Sequence, residues 1–173
     1  GDVETNNVDS IWSVETSTPG APVQRVPAST LAMFTTTQDI FNDAIAVDSM
    51  SRIYFGGDFV GAGGEFHLYR NVLDGSSFEE VPGTAMTRGG TMPTSVSAFG
   101  ISNDGLTLAF GADATTAGID EVFVMALSGS TPARVDAFAS MAAFGQSLAV
   151  GEPIAFSPDG TELAFGAALA LAS

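Results

Sequence analysis

Short apolar segments separated by polar turns recur along the chain at a constant interval. Residues 44–56, 99–111 and 154–166 each contain an apolar segment, a polar turn and a second apolar segment that ends in an aromatic residue and a glycine. Self-similarity at a fixed period of this kind is typical of repeat architectures. The aromatic residues of the three copies, 55 residues apart, are Phe55, Phe110 and Phe165.

The turns within these stretches predict β-hairpins. Asp104-Gly105 and Asp159-Gly160 are strong hairpin signals, because glycine readily takes a positive φ and aspartate hydrogen-bonds its own backbone. Residues 48–51 of the first stretch lack this pair, and we interpret that turn as a degenerate copy. Helical periodicity is absent from any long window of the sequence, which favours strands throughout.

Two further strands follow the hairpin in each unit. In the third segment, Trp12, Tyr69 and Phe123 occupy matching positions, and we interpret them as packing residues rather than as a binding platform. In the fourth segment, Glu80 matches Arg134. Each unit therefore contains four strands, termed a, b, c and d. The a strands are predicted at 44–47, 99–102 and 154–157, the b strands at 52–56, 107–111 and 162–166, the c strands at 10–15, 67–72 and 121–127, and the d strands at 23–26, 78–81 and 133–135.

Four short strands per unit predict an all-β fold, and this period favours a β-propeller of four-stranded antiparallel blades over a sandwich or a barrel. The chain would hold about three blade equivalents, with a tail at 167–173. Because three blades are few for a ring, we expect an arc of a larger propeller. A three-blade ring and a six-blade ring of two copies are the alternatives. The predicted parts are a half blade of strands c and d at 1–26, whole blades at 44–81 and 98–135, and a half blade of strands a and b at 153–166.

The third copy of the repeat resembles a known family. Residues 156–160, with the sequence FSPDG, and residues 163–165, with the sequence LAF, are similar to the repeat of TolB-like, WD40-like (PD40-type) β-propellers. Asp113 and the segment 120–129 resemble the remainder of that repeat. The family includes TolB, a periplasmic protein-interaction module, and propellers that gate prolyl-oligopeptidase-type peptidases. The resemblance implies an extracytoplasmic location of bacterial type, whether periplasmic, secreted or at the cell surface.

The charge balance narrows the classes of partner. The chain has 20 acidic residues, five arginines and no lysine, with a formal net charge of −15. We expect the chain to bind neither nucleic acid nor an anionic membrane, because binding to either needs clustered cations. The acidic charge instead favours a basic protein partner. No run of about 18 apolar residues is present, so we predict no membrane insertion. The lack of cysteine excludes disulfides, thiolate metal sites and cysteine nucleophiles.

An aspartate follows strand b in successive units, at Asp2, Asp58 and Asp113. Because Ca²⁺ prefers carboxylate and carbonyl oxygens, these three residues are the candidate metal ligands, and no other cofactor is predicted. The alternative is that each carboxylate caps backbone N–H groups of its own b–c loop. His67 is the single histidine, and we interpret it as structural because no partner network for a triad or a metal site accompanies it.

No catalytic constellation stands out, so we predict a non-catalytic binding or scaffold module that mediates protein–protein interaction or assembly. Its partner is another protein, or further copies of the chain that complete the propeller. In a propeller the b–c loops and the d–a connections, here at 27–42, 82–97 and 136–152, emerge on one face, and long loops on a rigid scaffold commonly carry binding. The alternatives are an accessory gating propeller of a larger hydrolase, such as a prolyl-oligopeptidase-type peptidase, and a catalytic propeller acting as a lyase or glycosidase.

Overall fold

The computed structural model of the chain describes residues 12–13, 23–24, 40–50, 52–57, 67–72, 78–84, 87–88, 92–93, 95–116, 118–135 and 146–171. Within these residues the chain forms strands and no helix, which confirms the predicted all-β class for this part. The strands are β1 Trp12–Ser13, β2 Val23–Gln24, β3 Ile40–Val47, β4 Arg52–Gly57, β5 His67–Val72, β6 Phe78–Glu80, β7 Thr87–Arg88, β8 Met92–Pro93, β9 Val96–Ile101, β10 Thr107–Thr116, β11 Ile119–Ala126, β12 Ala133–Arg134, β13 Gln146–Phe156 and β14 Leu163–Leu171.

Two antiparallel sheets of four strands form the centre of the described fold. Sheet 1 has the order β3-β4-β5-β6, and sheet 2 has the order β9-β10-β11-β12. In both sheets the strands follow the predicted order a, b, c and d, so the predicted four-stranded antiparallel units are confirmed here. The hairpin β13–β14 joins sheet 2 through a parallel bridge between Ile119 and Leu148. The pairs β1–β2 and β7–β8 are short and antiparallel.

The hairpin β13–β14 is longer than the sequence pattern predicts. β13 begins at Gln146, inside the predicted d–a connection, and β14 continues to Leu171, through the predicted tail. The two extensions pair with each other, from Gln146 opposite Leu171 to Gly151 opposite Gly166, and a bulge follows before Ile154. Each extension therefore supplies the backbone hydrogen-bond partners that the other needs. The sequence of either extension, taken by itself, does not predict this pairing.

Sheet 2 lies between two apolar layers whose side chains differ in size. Successive residues of a strand point to opposite faces, so Leu108 and Phe110 contact sheet 1, whereas Ala109 contacts the hairpin β13–β14. The layer against sheet 1 consists mainly of large residues: Tyr54, Leu68, Val81, Phe99, Leu108, Phe110, Phe123, Met125 and Leu127. The layer against the hairpin is built from Ala98, Ala109, Val122, Val150 and Ile154.

A b-strand aromatic residue lies opposite a c-strand aromatic residue in both sheets. Phe55 pairs with Tyr69, with ring centroids 6.1 Å apart, and Phe110 pairs with Phe123, with centroids 5.5 Å apart. All four side chains are buried. Stacked pairs of this kind contribute about 0.5–1.5 kcal/mol beyond the burial of their area. The interpretation of Tyr69 and Phe123 as packing residues is confirmed, while the side chain of Trp12 lies outside the described part.

The small side chains between sheet 2 and the hairpin β13–β14 allow β9 and β13 to approach closely at Gly100. A Cβ atom built on Gly100 would lie 2.1 Å from the backbone oxygen of Ile154, far inside van der Waals contact. That oxygen belongs to strand β13, so it cannot move aside without shifting the strand. Glycine is therefore required here by the approach of a neighbouring backbone.

The a–b turns of the second and third units share one hydrogen-bond arrangement. The Ser102 hydroxyl donates to Oδ1 of Asp104 at 2.6 Å and accepts a hydrogen bond from the N–H of Thr107 at 2.9 Å. Ser157 donates to Oδ1 of Asp159 at 2.6 Å in the same way. The hydrogen bonds from Ser157 and from the N–H and hydroxyl of Thr161 in the same turn lower the pKa of Asp159 to about 2. The predicted Asp-Gly turns thus gain a second polar side chain that orders them.

In the first unit the a–b turn is one residue shorter and depends on a single carboxylate. Oδ1 of Asp48 accepts from the N–H groups of Met50 at 2.8 Å and Arg52 at 3.0 Å. Oδ2 accepts from Nε of Arg52 at 2.6 Å and from the Tyr54 hydroxyl at 2.9 Å. Burial raises the pKa of Asp48, but the hydrogen bonds from Arg52 and Tyr54 outweigh burial and keep that pKa below its usual value. The turn that lacks Asp-Gly is therefore ordered by another residue.

The tips of successive a–b turns are joined by hydrogen bonds. Oγ of Ser49 donates to the backbone oxygen of Asp104 at 3.1 Å, and Nδ2 of Asn103 donates to the backbone oxygen of Pro158 at 3.3 Å. Ser49 and Asn103 directly follow the first polar residue of their turns, so equivalent positions make equivalent contacts at both junctions. The three units therefore stack one after another in chain order.

Substitution of Gly100 tests the close approach of β9 and β13. Gly100→Ala is expected to lower the free energy of unfolding by about 1–3 kcal/mol, the usual cost of overpacking, because its Cβ would meet the Ile154 oxygen. Gly151→Ala is the matched control, since a Cβ at Gly151 meets nothing within 4 Å. Urea unfolding followed by circular dichroism measures both, and equal effects of the two substitutions would contradict the close approach.

The raised pKa of Tyr54 predicts that the folded chain loses stability at alkaline pH. Burial, together with the hydrogen bond to Asp48, raises the pKa of Tyr54 to about 12. An unfolded tyrosine ionises near pH ~10, so the stabilisation is complete below pH ~10 and is lost as the pH rises through about 12. We expect the free energy of unfolding to fall across this window, and Tyr54→Phe to flatten the fall, in urea titrations at stepped pH. An identical slope in Tyr54→Phe would refute the assignment.

Candidate binding face

One end of the sheets gathers the b–c turns and the ends of the d strands. In an antiparallel meander, strand b ends at the same end of the sheet at which strand c begins and strand d ends. The end of β4, the start of β5 and the end of β6 therefore lie side by side, as do the corresponding ends of β10, β11 and β12. We call this end of the two sheets the b–c face. Its described residues include His67 and Glu80 in sheet 1 and residues 112–116, 118–121 and 134–135 in sheet 2. Residues 58–66 and 136–145, which the prediction assigns to the same face, lie outside the described residues.

Asp113, a candidate calcium ligand, lies on the b–c face. Its Oδ2 accepts a hydrogen bond from the N–H of Gly118 at 2.9 Å, where the chain has a φ of +74°. This contact is the one expected of a carboxylate that caps its own turn. The other two candidates, Asp2 and Asp58, lie outside the described residues. Within the part of the chain that the structure describes, no group of three or more His, Asp or Glu side chains is arranged to hold a metal ion.

Among the described residues of this face, Glu121 is a charged residue whose side chain is fully enclosed, at 0% exposure. Its carboxylate accepts hydrogen bonds from the N–H groups of Ala114 at 2.9 Å and Thr115 at 3.1 Å, and from the Thr115 hydroxyl. Nη1 of Arg134 lies 3.5 Å from Oε1 of Glu121. A buried carboxylate is tolerated when donors and a cation surround it. Glu121 therefore ties the end of strand b to strands c and d.

Sheet 1 carries a polar pair at the corresponding position, with the acidic residue on the other strand. His67 and Glu121 each lie two residues before the buried aromatic residue of strand c. Glu80 and Arg134 lie opposite that aromatic residue on strand d. Nδ1 of His67 lies 2.6 Å from Oε1 of Glu80. The acid is on strand c in sheet 2 and on strand d in sheet 1, so the two units build the same cross-strand link with exchanged groups.

Asp120 connects this face to the hairpin β13–β14. Its Oδ2 accepts a hydrogen bond from the N–H of Val150 on β13 at 2.9 Å. Burial raises the pKa of Asp120, and the carboxylates of Asp113 and Glu121 raise it further, although the hydrogen bond from the N–H of Val150 opposes the change. The hydrogen bond from Val150 therefore links the start of strand β11 to β13.

These contacts give the described charged residues of the b–c face a structural role. Glu121 and His67 bind across strands c and d, and Asp113 binds within its own turn, so their polar atoms hold the base of the face in place. The interpretation of His67 as structural agrees with its contact to Glu80 and with its burial. Sequence reasoning missed Glu121, although its signal was present as a polar residue two positions before the c-strand aromatic residue in successive units.

A cleft lies along the first strands of the units. β3, β9 and β13 line a cleft of about 380 Å³. Its walls contain Ile45 and Ala46 from β3, residues 99–101 from β9 and residues 153–156 from β13. Ile45 is 54% exposed, so apolar surface of β3 reaches solvent. The three a strands thus share one concave surface.

Removal of the Glu121 carboxylate tests its structural role. Glu121→Ala is expected to lower the free energy of unfolding by about 3–5 kcal/mol, because breaking a buried pair leaves Arg134 and the backbone donors without their acceptor. Glu79→Ala is the control, since Glu79 pairs with Arg70 at 2.6 Å but has a side chain that is 59% exposed. Exposed pairs contribute less than about 1 kcal/mol. Thermal and urea unfolding measure both, and a loss in Glu121→Ala no larger than in the control would overturn this role.

A scan against protein-family models finds no match for the chain. A search among curated proteins finds no match either. Among the residues described here, no helix is long and apolar enough to cross a membrane. The function is therefore inferred from the repeat and from the geometry of the described residues.

Proposed function

We propose that the chain is a non-catalytic binding and assembly module, built as an arc of a β-propeller of the TolB-like, WD40-like type. Its b–c face contacts a protein partner, and further copies of the chain or another protein complete the ring. The location proposed with it is extracytoplasmic, as in the family that the third copy of the repeat resembles.

The two-sided burial of sheet 2 is the observation that carries this proposal. A sandwich buries one face of each of its two sheets, whereas sheet 2 has an apolar layer on both faces. Blades that stack around an axis need this arrangement, because each blade has a neighbour on either side. The shared cleft of β3, β9 and β13 supports the same architecture, since the first strands of propeller blades line the central channel.

The b–c face is proposed as the contact surface because it combines a rigid base with long connections. The cross-strand links of His67 to Glu80 and of Glu121 to Arg134 hold the strand ends from which residues 58–66 and 136–145 depart. Long connections on such a scaffold are where binding residues concentrate. The formal net charge of −15 favours a partner with a cationic surface and steers its approach.

Loop replacement tests the proposed contact surface. Proteins that bind the tagged chain are isolated from its native cells, identified and purified, and their affinity is measured by biolayer interferometry. A variant in which short Gly-Ser linkers replace residues 58–65 and 137–145 is expected to bind at least about tenfold more weakly. The affinity of the wild-type chain should also fall as salt rises, because the attraction is electrostatic.

The matched control changes the opposite end of the sheets. Leu106→Ser with Met50→Ser alters exposed residues of two a–b turns and should leave the affinity unchanged. Both variants need the same circular dichroism spectrum as the wild-type chain. Unchanged binding by the loop variant, or weaker binding by the turn variant alone, would exclude the b–c face as the contact surface.

A further inference from the structure

Two of the five arginines of the chain line one pocket between sheets 1 and 2. The pocket lies at the end of the sheets that carries the a–b turns, opposite the b–c face, and has a volume of about 440 Å³. Sheet 1 contributes Met50, Arg52 and Arg70, and sheet 2 contributes Leu106, Leu127 and Ser128. In a chain with a formal net charge of −15, this pocket brings cations together.

The strand register directs both arginines into the space between the sheets. Arg52 and Tyr54 are two residues apart on β4, so their side chains point to the same face. Arg70 on β5 lies directly opposite Tyr54, and residues opposite each other also share a face. Tyr54 belongs to the apolar layer between the two sheets, so this face is the one toward sheet 2. The Cζ atom of Arg52 lies 5.8 Å from the centroid of the Tyr54 ring.

Fixed acceptors hold each guanidinium group in place. Nε of Arg52 donates to Oδ2 of Asp48 at 2.6 Å. Nε and Nη2 of Arg70 each lie 2.6 Å from Oε1 of Glu79, and Nη1 donates to the backbone oxygen of Leu127 at 3.2 Å. Counted among the described acceptors, these contacts use one of the five N–H donors at Arg52 and no more than three at Arg70. Both groups therefore keep donors for a further acceptor.

The charges that balance these arginines lie away from the pocket. The side chain of Asp48 is 0% exposed, so its carboxylate cannot meet a ligand. Glu79 is on β6, beyond Arg70, and is not part of the described pocket lining. A ligand that enters the pocket therefore meets the guanidinium groups before it meets either carboxylate.

Apolar side chains form the rim of the same pocket. Met50 is 58% exposed and Leu106 is 60% exposed, and they lie on successive a–b turns. The N–H of Leu127 donates to the backbone oxygen of Leu106 at 2.8 Å, which fixes that side of the rim. Apolar walls around a few convergent polar groups are typical of small-molecule sites.

We propose that this pocket binds a small carboxylic acid, whose carboxylate contacts Arg52 and Arg70 and whose apolar part packs against Met50 and Leu106. The planar guanidinium group matches a carboxylate, because its N–H donors can pair with both carboxylate oxygens. Inorganic phosphate has the charge but would leave the apolar rim in water. The site is separate from the b–c face and goes beyond the proposed function.

An NMR titration of the full ¹⁵N-labelled chain tests the site, with hexanoate as the probe and hexanamide as its uncharged control. Hexanoate is expected to produce saturable shifts in the N–H signals of Leu106, Leu127 and Ser128, which line the pocket. Hexanamide should bind at least about tenfold more weakly, because it lacks the charge that strengthens hydrogen bonds to arginine. No saturable shift with hexanoate, or equal binding of hexanamide or of inorganic phosphate, would overturn the inference.

Two aspartate substitutions locate the site without disturbing the core. Leu106→Asp places a carboxylate at the rim, where it repels the probe and competes for the arginines, so the affinity for hexanoate should fall at least about tenfold. Val47→Asp is the matched control, because Val47 is 59% exposed and adds the same charge. Val47 lies opposite Ile53, whose side chain points away from sheet 2, so this variant should bind hexanoate normally. Equal losses in the two variants would contradict the assignment.

Removal of one guanidinium supplies an independent measurement. Arg70→Gln, with a circular dichroism spectrum like that of the wild-type chain, is expected to weaken hexanoate binding at least about tenfold and to leave hexanamide binding unchanged. Unchanged hexanoate binding by a folded Arg70→Gln chain would refute the role of Arg70. A free acid and the C-terminus of a peptide share the chemistry of this ligand. N-acetyl-leucine distinguishes them, because tighter binding than hexanoate indicates a peptide terminus and weaker binding indicates a free acid.

The variant Leu106→Ser with Met50→Ser separates this site from the proposed contact surface. It should weaken hexanoate binding, because it removes the apolar rim, while the affinity for the protein partner at the b–c face stays unchanged. Retained hexanoate binding in this variant would contradict the role of the rim and would leave the proposed function intact.

Discussion

The close contact between the small-residue face of sheet 2 and strand β13 is the constraint on which the described fold depends. Ala98, Gly100 and Ala109 leave room for the backbone of β13, and the large residues of the opposite face fill the wider space against sheet 1. The alternation along each strand separates the two sets, because neighbouring side chains point to opposite faces. Sheet 2 can therefore be a middle layer, and the units can follow one another in a stack.

Polar side chains organise both ends of the sheets. At the a–b turns, Ser102 with Asp104 and the single carboxylate of Asp48 satisfy the same backbone groups by different means. At the b–c face, Glu121 with Arg134 and His67 with Glu80 link strands c and d, and the acidic residue lies on strand c in one sheet and on strand d in the other. The repeat thus preserves the position of a hydrogen bond while its chemistry varies, because the backbone needs a partner and not a particular residue.

Within the described residues, the strands of the successive units are paired in different ways. Sheets 1 and 2 each contain four antiparallel strands, whereas the hairpin β13–β14 is attached to sheet 2 by a parallel bridge and β1–β2 is a two-stranded pair. β14 carries no charged side chain, while the chain as a whole is strongly acidic. An acidic chain of this kind favours a partner with a cationic surface, which is the kind of partner that the proposed function expects.

The sequence by itself determined the all-β class, the four-strand unit and its strand order, because turn chemistry and hydrophobic period are local signals. For Asp113 it left two interpretations open, a calcium ligand and a cap of its own b–c loop, and the hydrogen bond from Gly118 is of the kind that a cap makes. Only the tertiary structure decided the extension of β13 and β14, the burial of Glu121 and the need for glycine at position 100. These features depend on which segments become neighbours across the fold, and neither a period nor a local turn signal encodes the distance between two backbones.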